Sequence, residues 1–439
     1  MSLSTQPYKG TRDFYPEDKR LQKYMFGVLR RVVESFGYQE YDAPSIEPLE
    51  LYMSKTSDEI VSEQTYSFID RGGRTVTLRP EMTPSVSRMV AGRRQELAFP
   101  ARWYSLPLLW RYERPQAGRL REHWQLNIDL FGVAGLAADH EVILVADSIL
   151  KTFGAPAHSY SIRLNSRLLT NFLLQEHLQL EHAQTVAFIR LIDHKHKMSE
   201  SQFIGLAEAL LSPTQREIGT LQHISAILKA KKLDDLPLSV QQHPAVQQLQ
   251  MLFELLEASG VYQHQFDPTL MRGFDYYTNI VFEVFDSHPD NNRAMFGGGR
   301  YDGLVAQFGV EPLPTVGFGM GDVTLQNFLT THNLLPQLTP STDAVVILVG
   351  DVYSPAQKIL ASLRHEGLRL AVDSTNRKLD AQIKNAVKAK VPYVIFIGPE
   401  ELKSERFKLK DLSSGEEKEL SLERLVSTLA ARHLPLDDF

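Results

Sequence analysis

The chain has 439 residues, and not one of them is cysteine. That absence excludes disulfides, thiolate zinc sites and a cysteine nucleophile together. No apolar run approaches the ~20 residues that a membrane-spanning helix needs. The opening stretch, MSLSTQPYKGTRDFYPEDKR, contains no apolar core of the kind that makes a signal peptide. The expectation is a cytoplasmic protein without a membrane partner. An excess of charge of one sign is also missing: 47 Lys and Arg stand against 53 Asp and Glu, a formal net charge of −6. This argues against a generally basic nucleic-acid binder and leaves room for a local basic patch. Internal repeats and low-complexity tracts are absent too. What remains is the composition of a soluble globular chain, with 43% hydrophobic and 23% charged residues. Its length suggests two or three domains.

A first helix is expected over about Lys19 to Phe36, closed by Gly37. GYQEYDAPSIEP reads as a strand entering a turn at Pro44. Two strands flank Arg71-Gly72-Gly73, and a helix follows from about Pro84. A hairpin turns around Pro115 between ARWYSLPLLW and QLNIDLF, in which Leu126, Ile128 and Leu130 alternate as in a half-buried strand. A helix is expected over His140 to Phe153. Between about 166 and 258 the pattern is mostly helical and reads as an inserted module. Strand signals return in FDYYTNIVFEVF and end in GGGRYDGL and TVGFGMGDVTL. A linker over 331–343 contains LLPQLTPSTD. Beyond it AVVILVG, RLAVD and YVIFIG alternate with helices near Ser354 to Glu366 and Lys378 to Lys390, the pattern of a small, mainly parallel α/β domain. The expected boundaries are therefore 1–330, with the insertion at about 166–258 inside it, and 344–439.

Two stretches carry chemistry. WRYERPQAGRLREHWQLNIDLFG sets Arg111, Arg114, Arg119 and Arg121 among Glu113, Glu122 and Asp129. Strand-anchored guanidiniums around a loop can form a preorganised polyanion site, since the planar head binds phosphate in a fixed bidentate geometry. A hairpin made soluble by mixed charge reads the same way. MRGFDYYTNIVFEVF places Arg272 and Asp275 beside Tyr276 and Tyr277, and FGGGRYDGL adds Gly297, Gly298 and Gly299 before Arg300, Tyr301 and Asp302. Glycines there permit close backbone approach to a ligand; a Gly-rich hairpin with packed tyrosines is the plainer alternative. The glycines are not a phosphate loop, because no Lys-Ser/Thr follows them. His194-Lys195-His196 lacks the spacing of a metal site and reads as a solvated helix face. Lys229 to Lys232 reads as surface.

TLRPEMT, WRYERPQAGRLREHWQLNIDLFG, RGFDYYTNIVFE and GGGRYDGL, in that order, resemble the signature blocks of the histidyl-tRNA synthetase family, a class II aminoacyl-tRNA synthetase. KGTRDFYP and GYQEYDAPSIEP match as well, and the region from RLAVDSTNRKLDAQIKNAVKAKVPYVIFIG to FKLKDLSSGEE is similar to the family's anticodon-binding domain. The resemblance implies an α+β fold: a class II catalytic domain with an antiparallel sheet and helical insertion, followed by a C-terminal α/β anticodon-binding domain. It implies ATP and Mg²⁺ as cofactors, L-histidine and tRNA(His) as partners, and a homodimer joined near GYQEYDAPSIEP. By resemblance, Arg111 and Arg272 would contact the α-phosphate, and Glu113 would sit near adenine. Gln116 to Arg119 would form a loop facing the tRNA, with Arg119 also at the nucleotide. Gly319 and Gly321 would bring backbone close to adenine. Glu81, Thr83, Gln125 and Asp129 would surround the amino group and imidazole of histidine, Tyr276, Tyr277 and Tyr301 would line its pocket, and Arg272 would contact the histidine as well as the phosphate.

One block departs from the family. Its third motif carries a Glu-Arg pair before the final leucine, and that arginine grips the γ-phosphate; here TVGFGMGDVTL has Val323 and Thr324. Arg119 or Arg121 is the expected substitute, and Asp322 is expected to cap the helix that follows. The departure keeps a second reading open, a catalytically silent relative serving as regulatory subunit of ATP phosphoribosyltransferase. Against it stand the complete C-terminal domain and the intact block from Arg272 to Tyr277.

Overall fold

The alternation in EHWQLNIDLF is realised as a strand, Glu122–Phe131, whose Leu126, Ile128 and Leu130 are buried on one face while Gln125, Asn127 and Asp129 share the other. A computed structural model describes residues 3–53, 64–115, 118–271, 276–291, 294–375 and 377–431. Its two compact units are residues 1–13 with 28–335, and residues 14–27 with 336–439. The first helix, Pro16–Ser35, begins three residues before the expected Lys19, and Pro16 suits a first turn because the donor it lacks would have no partner there.

In the first unit the strands are β1 (Gln39–Glu40), β2 (Ile46–Pro48), β3 (Tyr66–Ile69), β4 (Thr75–Leu78), β5 (Ala101–Ser105), β6 (Leu108–Trp110), β7 (Glu122–Phe131), β8 (Tyr160–Ser166), β9 (His264–Phe266), β10 (Ile280–Asp286), β11 (Ala294–Arg300) and β12 (Thr315–Gly321). β2, β4 and β3 make a small antiparallel sheet. The others form a larger sheet in the order β1-β5-β7-β12-β11-β10-β8-β9, with β6 also on β7. The expected antiparallel pairing holds from β5 through β8, and parallel pairs, β1 with β5 and β8 with β9, close both edges. ARWYSLPLLW, expected as one strand, is two. Pro107 cannot donate to a ladder, so β5 and β6 pair with β7 on either side of it, and the Pro107 carbonyl accepts from Gln125 N at 3.1 Å.

From Arg167 to Ala258 the chain is helical, from Arg167–Asn171 to Pro244–Ala258, with a π turn at Phe172–His177. Leu173, Phe188, Ile192, Phe203, Ile224, Leu249 and Leu252 are buried. The second unit carries β13 (Ala344–Leu348), β14 (Leu370–Asp373), β15 (Tyr393–Ile397), β16 (Arg406–Asp411) and β17 (Glu417–Ser421), ordered β14-β13-β15-β16-β17. The first three are parallel, as the βαβ pattern implies, and the last two add antiparallel strands. Phe407 and Leu409 of β16 face a core of Val346, Leu360, Ile395 and Leu425, while Arg406 and Lys408 face solvent.

Arg300, at the end of β11, is buried in a hydrogen-bonded network. Its guanidinium meets Asp139 at 2.5 and 3.2 Å, donates to the carbonyls of Val133 (3.1 Å) and Gly135 (3.0 Å), and reaches Asp302 at 3.3 Å. Asp302 also accepts from Thr315 N at 3.0 Å, which ties the ends of β11 and β12 together beside Tyr301. Removing one partner of a buried pair leaves an uncompensated charge. Arg300→Met should therefore cost about 3–5 kcal/mol in denaturant unfolding, and Arg300→Met with Asp139→Leu should recover much of the loss. Equal losses in the single and double variants would refute the pairing.

Candidate active site

The polar face of β7 opens on a cavity of about 370 Å³. Its floor is nearly bare backbone. Across β12, Gly317, Gly319 and Gly321 lie opposite Asp129, Asn127 and Gln125; across β11, Gly297 and Gly299 lie opposite Gly319 and Gly317. A Cβ at Gly317 would fall 2.4 Å from both Asp129 Oδ1 and the Ile128 carbonyl, and one at Gly319 would fall 2.6 Å from Gln125 Nε2. The side chains of β7 thus lean over a neighbouring strand that has none at those positions.

Glu81, Thr83, Arg111, Glu113, Arg119, Gln125, Asp129, Tyr276, Tyr277, Tyr301, Gly319 and Gly321 all line this cavity. Arg272 and Gln116 lie outside the described residues. Four more polar lining residues, His123, Asn127, Asp193 and Glu283, were not singled out from the sequence. Asn127 had a signal, since it stands two residues from both Gln125 and Asp129 on an alternating strand. Asp193 ends the inserted helix His182–Asp193, and no local pattern marks it.

Buried Arg79 fixes the approach to Glu81 by donating to Asp42 at 2.8 Å and to the Leu108 carbonyl at 3.1 Å. Glu81 is buried and accepts from the Tyr276 hydroxyl at 3.3 Å. Tyr276 packs on Tyr277 and Tyr301 with ring centroids 5.0 and 5.6 Å apart. The Tyr301 hydroxyl donates a short hydrogen bond to Asp129. Burial pushes the Asp129 carboxyl up to about 7, against the pull of Tyr301 and Tyr41. Burial and the Asp129 charge hold the Tyr301 phenol well above its ordinary value.

The basic side of the cavity comes from the hairpin. Arg111 Nε donates to the Pro80 carbonyl at 2.9 Å, which fixes the plane of its head. Burial, Arg111 and Arg12 push the His123 imidazole down to about 3, so it is neutral at physiological pH. Arg119 is exposed on the rim, 3.8 Å from the more buried Glu113. Arg121, the other expected phosphate ligand, is turned away and does not line the cavity. It is buried, its Nη1 donates to the Tyr8 hydroxyl at 2.9 Å, its Nε donates to the Glu113 carbonyl at 3.2 Å, and its head lies 3.9 Å over the Tyr112 ring. Asp322 does not cap its helix either. It is the first helical residue, and its carboxylate takes Arg12 at 2.7 Å and Trp124 N at 3.0 Å. The Thr324 hydroxyl donates to the Met295 and Gly321 carbonyls at 2.8 and 3.1 Å. A Cβ at Gly118 would lie 3.5 Å from Thr324 Cγ2, so the hairpin loop folds against this position.

Asp129 gives the site a measurable pH signature. An unfolded aspartate titrates near ~3.9, so between there and about 7 the folded state holds the extra proton. The contribution of Asp129 to stability is full below about pH 4 and is lost as pH rises to about 7. Asp129→Asn should lack that fall. Its advantage over the wild type should grow by up to about 1.4 kcal/mol for each step of one in pH across that range, read by urea unfolding. Parallel profiles for the two proteins would refute it.

Residues 10–323 match the family model for histidyl-tRNA synthetase, and residues 343–432 match that of the anticodon binding domain. The chain is similar to the histidine–tRNA ligase of Leptospira biflexa, 42% identical over 416 residues, 94% of each chain. It is similar also to that of Haloarcula marismortui, 37% identical over 412 residues, 93% of this chain and 94% of the relative. Its fold is that of the histidyl-tRNA synthetase from Nostoc sp. PCC 7120, with TM-score 0.80 at 24% identity, covering 98% of this chain and 100% of the other. An ATP phosphoribosyltransferase regulatory subunit/histidyl-tRNA synthetase from Bacillus halodurans shares the fold as well, with TM-score 0.72 at 21% identity over 91% of this chain and 100% of the other. With one family model spanning most of the sequence and relatives above a third identical along nearly all of it, the chain belongs to the histidyl-tRNA synthetase family.

Proposed function

We propose that the chain is a histidine–tRNA ligase that activates L-histidine with ATP and transfers it to tRNA(His). The observation that carries the reading is a single cavity holding both a fixed guanidinium, Arg111, and a buried acceptor, the Asp129 carboxyl held by the Tyr301 hydroxyl. The first suits a phosphate, the second an imidazole N–H. In the first step a carboxylate oxygen of histidine attacks the α-phosphorus and pyrophosphate leaves. In the second the 3′-terminal ribose hydroxyl of tRNA attacks the carbonyl carbon and AMP leaves. Neither step needs a protein nucleophile, and catalysis is positioning with charge stabilisation.

Arg111 faces the α-phosphate where negative charge grows, and the match of its motif to the family assigns Arg272 the role of a second cation there. Glu81, Thr83 and Gln125 receive the amino group. Asp129, Tyr276, Tyr277 and Tyr301 enclose the imidazole. Glu113 and the open backbone of Gly319 and Gly321 lie along adenine. Arg119, carried on the loop that packs against Thr324, takes the γ-phosphate. The carboxylates bordering the cavity are Glu81, Glu113, Asp129, Asp193 and Glu283, and among the described residues no group of three or more metal-ligating side chains is placed to hold an ion. Of these carboxylates, Glu283 would hold Mg²⁺, a hard cation suited to carboxylate oxygen. Bound there, Mg²⁺ would neutralise triphosphate charge.

The C-terminal unit would bind the anticodon, a use that the regulatory-subunit reading leaves it without. A homodimer is supported by apolar side chains exposed on the small sheet, Ile46, Phe68 and Ile69, next to the Gly37–Pro48 segment. No helix among the described residues is long and apolar enough to cross a membrane, and the proposed place of action is the cytoplasm.

ATP–pyrophosphate exchange on the purified protein tests the reading. It should require histidine, and Arg111→Ala and Arg272→Ala should each lower its rate by roughly 10²–10³-fold, as loss of one charge-stabilising donor does. Histidine binding without exchange in the wild type would overturn the ligase reading.

A further inference from the structure

The segment Tyr8–Arg12 takes no part in the chemistry above, yet it is joined to three elements that bound the cavity. The Gly10 carbonyl accepts from Arg121 N at 2.8 Å and from Glu122 N at 3.4 Å, extending the ladder at the base of the hairpin. Arg121 lies between the Tyr8 and Tyr112 rings, 5.5 and 3.9 Å from their centroids. Gly10 has φ of +89°, and a Cβ there would fall 2.8 Å from Arg121 Cγ and 3.0 Å from Pro115 Cγ. Only glycine allows that approach. Arg12 then reaches Asp322 at 2.7 Å, and the same carboxylate accepts from Trp124 N of β7 at 3.0 Å.

We propose that Tyr8–Arg12 is a brace that holds the 111–121 hairpin in its nucleotide-binding position, with Arg12 as the positioning residue. Among the described residues of the hairpin, Arg111 N meets the Arg121 carbonyl at 2.9 Å, while Tyr112 N bonds outside it, to Gln64. Gly118 must nonetheless stay against the first turn of the helix after β12, where it packs at Thr324. The brace grips the hairpin at Tyr8 and Gly10 and the start of that helix at Arg12. Asp322 is 5% exposed, and without Arg12 its charge would be left to the backbone amides of Trp124 and Val323. The junction would loosen or the carboxyl would take up a proton. The inference rests on the reading of the hairpin as the nucleotide-binding element.

The test uses full-length Arg12→Ala, Gly10→Ala and Arg12→Lys, with Tyr8→Phe as the mild variant should the others fail to fold. Hydrogen exchange of the free proteins should speed up in peptides covering 110–123 by about tenfold or more, the size expected from losing one charge-assisted hydrogen bond. In pyrophosphate exchange the KM for ATP should rise by a similar factor, roughly tenfold, while the KM for histidine stays within about twofold, with Arg12→Lys recovering much of both effects. Unchanged hairpin exchange would overturn the proposal, as would equal rises in both KM values accompanied by a general loss of thermal stability. Should the wild type show no histidine-dependent exchange, the ligase reading fails, and the hydrogen-exchange arm still decides whether the brace exists.

Discussion

Gly317 and Asp129 face one another across β12 and β7, and the carboxylate occupies the space that any side chain at 317 would need. This exclusion organises the rest of the first unit. A row of polar side chains inside a sheet is costly unless something satisfies it, and a neighbouring strand with side chains of its own would push that row aside. Glycine at every second position of β12 lets Gln125, Asn127 and Asp129 bend over bare backbone, and the glycines of β11 extend the floor. The cavity is therefore made by omission. The other face of β7 keeps Leu126, Ile128 and Leu130 in the core, so a single strand anchors the fold and lines the site.

Charge on the walls follows from the same arrangement. Asp129 and Glu283 reach the cavity on strands and Glu81 on the segment before the helix Thr83–Gly92; burial raises Asp129 and its tyrosine partners hold it. The described cations of the cavity, Arg111 and Arg119, come from the hairpin. Between them His123 is kept neutral by burial and by Arg111 and Arg12, so it adds no third positive charge. A site with a fixed guanidinium, Arg111, at one side and a hydrogen-bonded carboxyl at the other is preorganised for a ligand that carries phosphate and an N–H donor. Such preorganisation costs nothing further at the moment of reaction.

Much of this was legible in the chain because period-two alternation and glycine runs are local properties. The strand QLNIDLF, the turn at Arg71-Gly72-Gly73, the helical block from about 166 and the βαβ order of the second unit all announce themselves within a few residues. What stayed hidden depends on partners far away in sequence. Arg119 and Arg121 look equivalent, but Tyr8, 113 positions from Arg121, pulls that side chain off the cavity. Asp322 has the residue type and place of a helix cap, but Arg12, 310 positions away, claims its carboxylate. The parallel edges of the larger sheet are set by chain crossings, which alternation does not record, and the break between β5 and β6 follows from a single proline within an apolar run.

Thr324 looks at first like a defect, a short hydroxyl where the family carries a long cation. In the folded chain its hydroxyl is turned onto the carbonyls of Met295 and Gly321, and its methyl is what the hairpin loop meets at Gly118. Gly118 has φ of +78° and no side chain. A long side chain at 324 would occupy the space into which this loop descends. Small residues on both sides thus form one packing arrangement, and its effect is to bring the neighbour of Gly118, Arg119, to the rim of the cavity. The cation proposed for the γ-phosphate then comes from the hairpin and not from the helix after β12. A hairpin that carries such a charge has to be held in place from outside, and the contacts of Tyr8, Gly10 and Arg12 are suited to do that.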